Sequence, residues 1–257
     1  MTKAGVCAAL GCAVLLAAVS ARAGEGEPVL TVPEILARVD AAEAPPRSRG
    51  RFRQVITTTR GGKRTLEMES YSRDGTDKQL IRYTAPARVE GESLLMLDDG
   101  DEIWYFSPRT DRVRKIASHA RKKKVMGSDF SYEDMSGGNM AEDYTGVLLG
   151  EEPVDGRACL HLALTPTPSG PSYGKIEAWV DAETYLTVRV DYWNEHGERF
   201  KRLTAAGVET IDGRPTITRF RMHNLKTGGE TLMEVLAMSY TEDVPASWFT
   251  VRHLKRR

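Results

Sequence analysis

Short polar links between alternating stretches are the feature that most restricts the fold of this chain. In the C-terminal half the links are DAET, NEHGE, IDGRP and KTGG, each only four or five residues long. A parallel crossover needs a dozen residues or more, so strands joined this closely must be antiparallel neighbours. The sequence therefore predicts an antiparallel meander with strands at 175–180, 185–193, 199–208, 216–224 and 230–241.

The N-terminal half shows the same period of two from Arg51 onward. A tight turn at Asp98-Asp-Gly-Asp101 joins two of its stretches, as expected for a hairpin. The sequence predicts strands at 52–59, 64–73, 78–83, 93–97 and 102–107. Together the two halves predict one meander of about ten strands.

The faces of these strands indicate how the sheet is covered. In 185–192 apolar residues alternate with Thr187, Arg189 and Asp191, which is typical of a strand with one face exposed to solvent. In 103–106 and 232–238 apolar residues occupy both odd and even positions, which face opposite sides of the sheet. Those strands are therefore expected to be covered on both sides. A strongly bent sheet with a helix against its concave face fits this pattern, and so does a closed barrel with a filled interior. A plain sandwich of two sheets is the third alternative.

One amphipathic helix is predicted ahead of the strands, at 33–43. Thr31 can cap it, and the apolar residues Ile35, Leu36 and Val39 form a stripe along one side. A short helix with such a stripe must pack on another element.

The first residues are typical of a secretory signal peptide. Lys3 gives a positive start, 6–19 is apolar, and Ala21-Arg22-Ala23 has the small-x-small form of a cleavage site. We expect cleavage after Ala23, which leaves 24–257 as a single domain. The alternatives are an N-terminal membrane anchor and lipidation at Cys12.

Cysteine content and charge exclude several classes of protein. Loss of the signal peptide leaves Cys159 alone, in an alternating run that is typical of a buried strand, so no internal disulfide can form. The whole chain has a formal charge of zero, with 36 basic and 36 acidic residues, and the predicted mature chain has −2. This balance disfavours binding to nucleic acid.

Catalytic and metal-binding motifs are not recognisable in the sequence. The five histidines are scattered, and there is no G-x-S-x-G elbow, Walker loop or dinucleotide glycine pattern. The acidic turn at 98–102 lacks the ligand spacing of a calcium loop. We therefore predict a protein that is not an enzyme and that has no metal and no cofactor.

The stretch MGSDFSYEDM follows directly on a basic run. Ser131 stands three residues before Asp134, close to a capping box, and Asp129 and Glu133 favour the positive end of a helix dipole. Phe130 can pack back as a hydrophobic staple. The simplest interpretation is a docked helical turn.

A family resemblance gives this stretch a second interpretation. The motifs Trp104-Tyr-Phe-Ser-Pro108, Arg112-Val-Arg-Lys-Ile116 and Gly127-Ser-Asp-Phe-Ser-Tyr-Glu-Asp134 resemble the signature of LolA-like outer-membrane lipoprotein-sorting proteins. An earlier strand pair, Tyr83-x-x-Pro86 followed by Gly91-x-Ser-Leu-Leu95, resembles the same family. The resemblance covers most of residues 50–250.

This resemblance implies a mainly β (α+β) fold, a strongly bent, half-open antiparallel β-barrel in which a few short helices close an apolar cavity. It implies a periplasmic carrier that binds the acyl chains of a lipoprotein or lipid and moves them between membranes. Such a carrier is expected to make only peripheral contact with a membrane. An inner-membrane transporter or exporter is a possible partner, and a monomer is expected. The alternative function is a periplasmic sensor or adaptor that binds a hydrophobic ligand.

Candidate site residues follow from the strands and from the resemblance. We expect ligand to contact apolar and aromatic residues, namely Trp104, Phe106, Phe130, Tyr132, Trp179, Met222 and Leu236. We expect a docking motif at the mouth of the hollow, formed by Gly127, Ser128, Asp129, Phe130, Tyr132, Glu133 and Asp134, which orders a flap at 135–144 hinged at Gly137-Gly138. We expect a partner or anionic head groups to contact Arg112, Arg114, Lys115, Lys122, Lys123 and Lys124, although such a run is more often a solvated edge.

Overall fold

Thirteen antiparallel strands form one sheet in the computed structural model, which describes residues 30–255. The predicted signal peptide and its cleavage site lie outside the described residues. The strands are β1 Arg47–Thr57, β2 Lys63–Arg73, β3 Lys78–Ala85, β4 Ser93–Leu97, β5 Glu102–Ser107, β6 Arg112–Lys115, β7 Tyr144–Val154, β8 Arg157–Pro166, β9 Lys175–Asp181, β10 Thr187–Trp193, β11 Arg199–Ile211, β12 Arg214–Asn224 and β13 Glu230–Ser239.

The order across the sheet is β6-β5-β4-β3-β2-β1-β13-β12-β11-β10-β9-β8-β7. Strands that follow one another in the chain are neighbours in the sheet, except for β6 and β7, and the pairing of β1 with β13 joins the two halves of the meander. The curled sheet is not closed, because β6 and β7 form its two ends. The half-open barrel is thereby confirmed, and the closed barrel and the sandwich of two sheets are wrong.

Four α-helices accompany the sheet in residues 30–255: α1 Val32–Glu43, α2 Tyr132–Met135, α3 Met140–Asp143 and α4 Val251–Leu254. The predicted first helix is confirmed, and Glu34 at its third position accepts a hydrogen bond from Thr31 N at 2.7 Å. Short 3-10 turns lie at Asp98–Gly100, Ser118–Ala120 and Ala246–Trp248. No helix in the described part of the chain is long and apolar enough to cross a membrane.

The two faces of the sheet are covered by different parts of the chain. We call the face that contacts α1 the inner face. There Ile35, Leu36 and Val39 of α1 are buried against side chains of β8, β9 and β10. A second inner cluster joins β1–β5 to the connection between β6 and β7. On the outer face, the C-terminal segment buries Val244, Phe249 and Leu254 against strands β2–β5. The expected cover on both sides of β5 is confirmed.

Candidate functional site

A half-open cavity of about 620 Å³ lies between the inner face and the connection that joins β6 to β7. Its floor is apolar and comes from strands β1 and β9–β12, with Phe52, Ile176, Val190, Leu203, Ile217 and Phe220. The opposite wall is formed by the end of α1 and by residues 133–144, and a loop at 169–173 closes one side. The cavity thus joins an apolar floor to a more polar wall.

The docking motif is held by a complete capping box at the start of α2. Ser131 Oγ accepts a hydrogen bond from Asp134 N at 3.2 Å, and Asp134 Oδ2 accepts one from Ser131 N at 2.7 Å. The capping box satisfies the N–H groups of Ser131 and Asp134 at the N-terminal end of the turn, and the N–H groups of Tyr132 and Glu133 donate to the carbonyl oxygens of Lys123 and Arg121. The predicted capping box is confirmed.

The two aromatic residues of the motif are buried in the inner core. Phe130 is 3% exposed and meets Phe220 edge to face, with ring centroids 5.9 Å apart. Tyr132 is buried beside Tyr83 in the neighbouring cluster, and burial raises its pKa. Both rings of the motif therefore pack into the inner core.

Asp129 attaches the motif to the centre of the sheet. Its backbone N–H donates to Thr231 Oγ1 at 2.9 Å, and Thr231 Oγ1 donates to its carboxylate at 3.0 Å. Lys124 Nζ donates to the same carboxylate at 2.6 Å. Asp129 and Thr231 are both buried, so these bonds fix the position of the motif over β13.

Asp134 forms a second attachment, a buried ion pair with Lys201 of β11. Lys201 Nζ lies 2.7 and 2.6 Å from the two carboxylate oxygens, and both side chains are less than one-tenth exposed. The same ammonium donates to Tyr173 OH at 2.7 Å and lies over the rings of Tyr173, Tyr192 and Phe200. Burial alone would raise the pKa of Asp134, but Lys201 and the bonds from Ser131 and Tyr173 outweigh it and lower that pKa.

The chain that follows the motif forms the wall of the cavity. Gly137 and Gly138 both have φ of +84°, a region that favours glycine, and α3 follows them. Asp40 of α1 accepts hydrogen bonds from Met140 N at 2.7 Å and Ala141 N at 2.9 Å. The expected flap at 135–144 is therefore seated on α1 in this structure.

Carboxylates predominate among the charged groups that line the cavity. In the described part of the chain the lining contains six acids, Glu43, Asp99, Asp101, Glu133, Asp134 and Asp143, and one base, Arg121. Glu43 is exposed and Asp143 is half-buried, and the pKa of each carboxyl is raised because the surrounding protein limits its hydration and because acids lie near it. Glu43 accepts one hydrogen bond from Thr187 N at 2.6 Å.

None of the seven residues that the sequence predicts to contact ligand lies on the wall of this cavity. Trp104, Phe106 and Trp179 point to the outer face, because the side chains of a strand alternate and their neighbours take the inner positions. The register between β1 and β13 shifts at Leu236, so this residue has no directly paired residue in β1. Met222 lies on the inner face but is fully buried among other side chains, as are Phe130 and Tyr132. The residues proposed below to contact ligand are therefore different ones.

Part of the basic stretch is paired with acids. Lys115 pairs with Glu102, Arg121 with Asp101, Lys122 with Glu195 and Lys124 with Asp129. Arg114 lies over the ring of Tyr105 at 4.8 Å. Arg112 and Lys123 are exposed and have no ion pair within residues 30–255. The stretch as a whole is therefore a poorer anion site than its charge suggests.

The most important residue that sequence reasoning missed is Lys201. Lys201 lies two residues before the apolar Leu203 in β11, so the side chains of both residues point to the inner face. The sequence alone therefore indicated an inward position for Lys201. A lysine at such a position requires a buried acid, and the partner, Asp134, lies 67 residues away. Among the described residues, no group of three or more His, Cys, Asp or Glu side chains could hold a metal ion.

Comparisons with known proteins agree with the architecture. A family model described as that of an uncharacterized protein matches residues 75–256. A DUF1329 family protein from Desulfovibrio piger is 28% identical, with a TM-score of 0.81 over 86% of this chain and 97% of that chain. No curated protein matches the chain.

Two further solved structures share the fold. A domain assigned to outer membrane lipoprotein-sorting proteins from Vibrio parahaemolyticus is 24% identical, with a TM-score of 0.81 over 87% of this chain and 98% of that chain. A LolA superfamily protein from Nitrosomonas europaea is 21% identical, with a TM-score of 0.74 over 88% and 100%. The predicted resemblance is thus confirmed at the level of the fold, and the chain belongs to the family of uncharacterized proteins whose model matches residues 75–256.

Proposed function

We propose that this protein is a periplasmic carrier that binds the acyl chain of a lipid or lipoprotein in the cavity on its inner face. The observation that carries the proposal is the apolar floor formed by Phe52, Leu203, Ile217 and their neighbours, which remains open to one side. Its volume of about 620 Å³ lies within the range of small-molecule sites in proteins. The names of the two lipoprotein-sorting and LolA superfamily neighbours support the same class of ligand.

The half-open form suits a protein that must release what it binds. Burial of one CH₂ group is worth about 0.8 kcal/mol, so full burial of a 16-carbon chain would contribute roughly 12 kcal/mol. Retention of all of this would make release very slow. A cavity that covers only part of the chain, and whose wall is polar, reduces the affinity to a value compatible with transfer.

The polar groups nearest the floor favour binding over catalysis. Lys201, Asp134 and Tyr173 are satisfied by one another at 2.6–2.7 Å, so each is used to hold α2 in place. We infer that residues 135–144, which follow α2, act as a movable wall hinged at Gly137-Gly138. The attachment of α2 itself is expected to persist when this wall moves.

Weak contact with a membrane or an exporter is proposed for the exposed members of the basic stretch. Within residues 30–255, Arg112, Arg114 and Lys123 are the exposed bases of the stretch without an ion pair, and such contact would be peripheral and sensitive to salt. The proposed working form is a monomer in the periplasm.

A wall substitution tests the proposed site. Ile217→Trp places a larger side chain into the cavity, and we expect it to weaken binding of a fluorescent fatty-acyl probe by about tenfold or more. Val147→Trp is the matched control, since Val147 is a β-branched strand residue that is 58% exposed and lies outside the cavity lining. Equal probe affinity for the two folded variants would contradict the proposed site.

A further inference from the structure

The charge around the cavity points to a particular kind of head group, an inference that rests on the proposed function. Two of the six lining acids have a cation of their own, since Asp134 pairs with Lys201 and Asp101 with Arg121. The other four, Glu43, Asp99, Glu133 and Asp143, have no ion pair within residues 30–255. The cavity therefore carries uncompensated negative charge opposite its apolar floor.

Among these four acids, Glu43 and Asp143 are the two whose pKa is raised, chiefly because the surrounding protein limits their hydration. Glu43 ends α1, its carboxylate accepts the Thr187 backbone N–H, and it lies in the field of the nearby Asp40. Asp143 ends α3, accepts a hydrogen bond from Asn139 N at 3.2 Å, and lies in the fields of Asp40, Glu142 and Asp101. A carboxylate with acidic neighbours and no cation is destabilised, and a positive group in the cavity would relieve that cost.

Arg121 does not supply this positive group. Its guanidinium donates to Asp101 Oδ1 at 3.3 Å and also to the Asp101 carbonyl oxygen, so it is already engaged at the rim. Lys201 is engaged in the same way by Asp134 behind the wall. No base among the described lining residues is left to meet a phosphate or a carboxylate of a ligand.

We propose that the cavity selects amphiphiles with a cationic amine head, and rejects anionic head groups, through Glu43 and Asp143. The alkyl chain lies on the floor formed by Leu203, Ile217 and Phe220, and the amine faces the acidic wall. Free fatty acids and lipids with a net negative head are poor ligands. The amine can belong to an aminolipid or to a lysine of an acylated peptide, because the two present the same charge.

Competition with three probes of equal chain length tests the selection. Dodecylamine, dodecanol and dodecanoate, each below its aggregation concentration, are titrated against the fluorescent acyl probe bound to the protein. We expect dodecylamine to bind about tenfold or more tightly than dodecanoate, with dodecanol between them. Phosphatidylethanolamine and an acylated lysine peptide then distinguish the two sources of the amine.

Isosteric variants identify the responsible residues. Glu43→Gln and Asp143→Asn keep the hydrogen-bond acceptors but remove the charge, and each is expected to lower the ratio of amine to carboxylate affinity severalfold. Glu142→Gln is the matched control, because Glu142 is exposed, lies beside Asp143 in α3 and does not line the cavity. Its charge acts on the cavity only through its field at Asp143, so Glu142→Gln should change the ratio much less than either variant.

The outcomes separate this inference from the proposed function. Failure of the fluorescent acyl probe and of all three alkyl compounds to bind, with the fold intact, would overturn the carrier itself. Binding of all three with equal affinity would leave the carrier standing and overturn the selection. If the ratio of amine to carboxylate affinity stays the same in Glu43→Gln and in Asp143→Asn, then Glu43 and Asp143 do not determine this ratio. An equal fall of the ratio in Glu142→Gln would show the same.

Discussion

Replacement of Lys201 by Met should show how firmly α2 is held to the sheet. The substitution keeps the length of the side chain but removes the ammonium, which leaves the Asp134 carboxylate buried at 4% exposure without its cation. Loss of one partner from a buried ion pair typically costs about 3–5 kcal/mol. In a domain of this size that corresponds to a fall in melting temperature of roughly 10 °C.

An exposed ion pair in the same chain provides the control. Lys226 pairs with Glu198, and their side chains are 51% and 58% exposed. Lys226→Met should change the free energy of unfolding by about 0–1 kcal/mol. Urea denaturation of both variants at pH 7, followed by circular dichroism, measures the two losses.

The pH dependence gives a second, independent readout for Lys201. In the native protein the pKa of Asp134 is lowered, so its stabilisation is present above the unfolded pKa of about 3.9 and disappears as the pH falls through the folded value. Without Lys201, burial should raise the pKa of Asp134 instead. The free-energy deficit of Lys201→Met should then shrink as the pH is lowered from 7 toward 4.5, because the carboxyl takes up a proton.

Two results would refute this reasoning. The first is a loss in Lys201→Met no larger than that in Lys226→Met. The second is a deficit that stays constant between pH 7 and 4.5. A double variant, Lys201→Met with Asp134→Asn, should recover part of the lost stability, since no buried charge is then left unpaired.

Three further predictions concern single residues. Phe130→Ala should lower the free energy of unfolding by about 3–5 kcal/mol and leave the rate of probe release from the folded protein unchanged. Faster release, with a loss of stability below about 1 kcal/mol, would instead make Phe130 a gate. Lys123→Glu should leave the melting temperature unchanged, whereas Lys124→Glu should cost about 1.5 kcal/mol because Asp129 is 5% exposed; equal melting temperatures would contradict the importance of this pair. Cys159 is fully buried, and burial raises the pKa of its thiol, so a thiol reagent should modify it only at the rate of unfolding; rapid modification of the native protein would show that β8 is not covered as described.

The sheet could be predicted from the sequence because its strands are joined by short polar links. Two strands joined by a link of four residues can pair only as antiparallel neighbours. The short links therefore predicted both the order of the strands in the sheet and their directions. Strands β6 and β7 were not predicted. β7 is exposed along most of its length, with Val147 at 58% and Leu149 at 54%, and therefore lacks the alternation by which a half-buried strand is recognised.

The site was harder to predict because it depends on strand faces and on distant contacts. Trp104 and Phe106 were placed on the wrong side by one position, although the strand itself was correct. The docking motif was recognised from Ser131 and Asp134, since a capping box is local in the sequence. Its buried position depends on Thr231 and Lys201, and no local pattern links residues that lie so far apart in the chain.

Transfer of a labelled acyl-chain ligand between two populations of vesicles tests the central claim most directly. Donor vesicles carry a fluorescent lipid and a quencher, acceptor vesicles carry neither, and the purified protein is added at catalytic concentration. The account predicts transfer faster than the spontaneous rate, a rate that rises with protein concentration, and clearly slower transfer with Ile217→Trp than with Val147→Trp. Binding of the ligand without any acceleration of transfer would contradict a carrier and leave a hydrophobic-ligand sensor in its place.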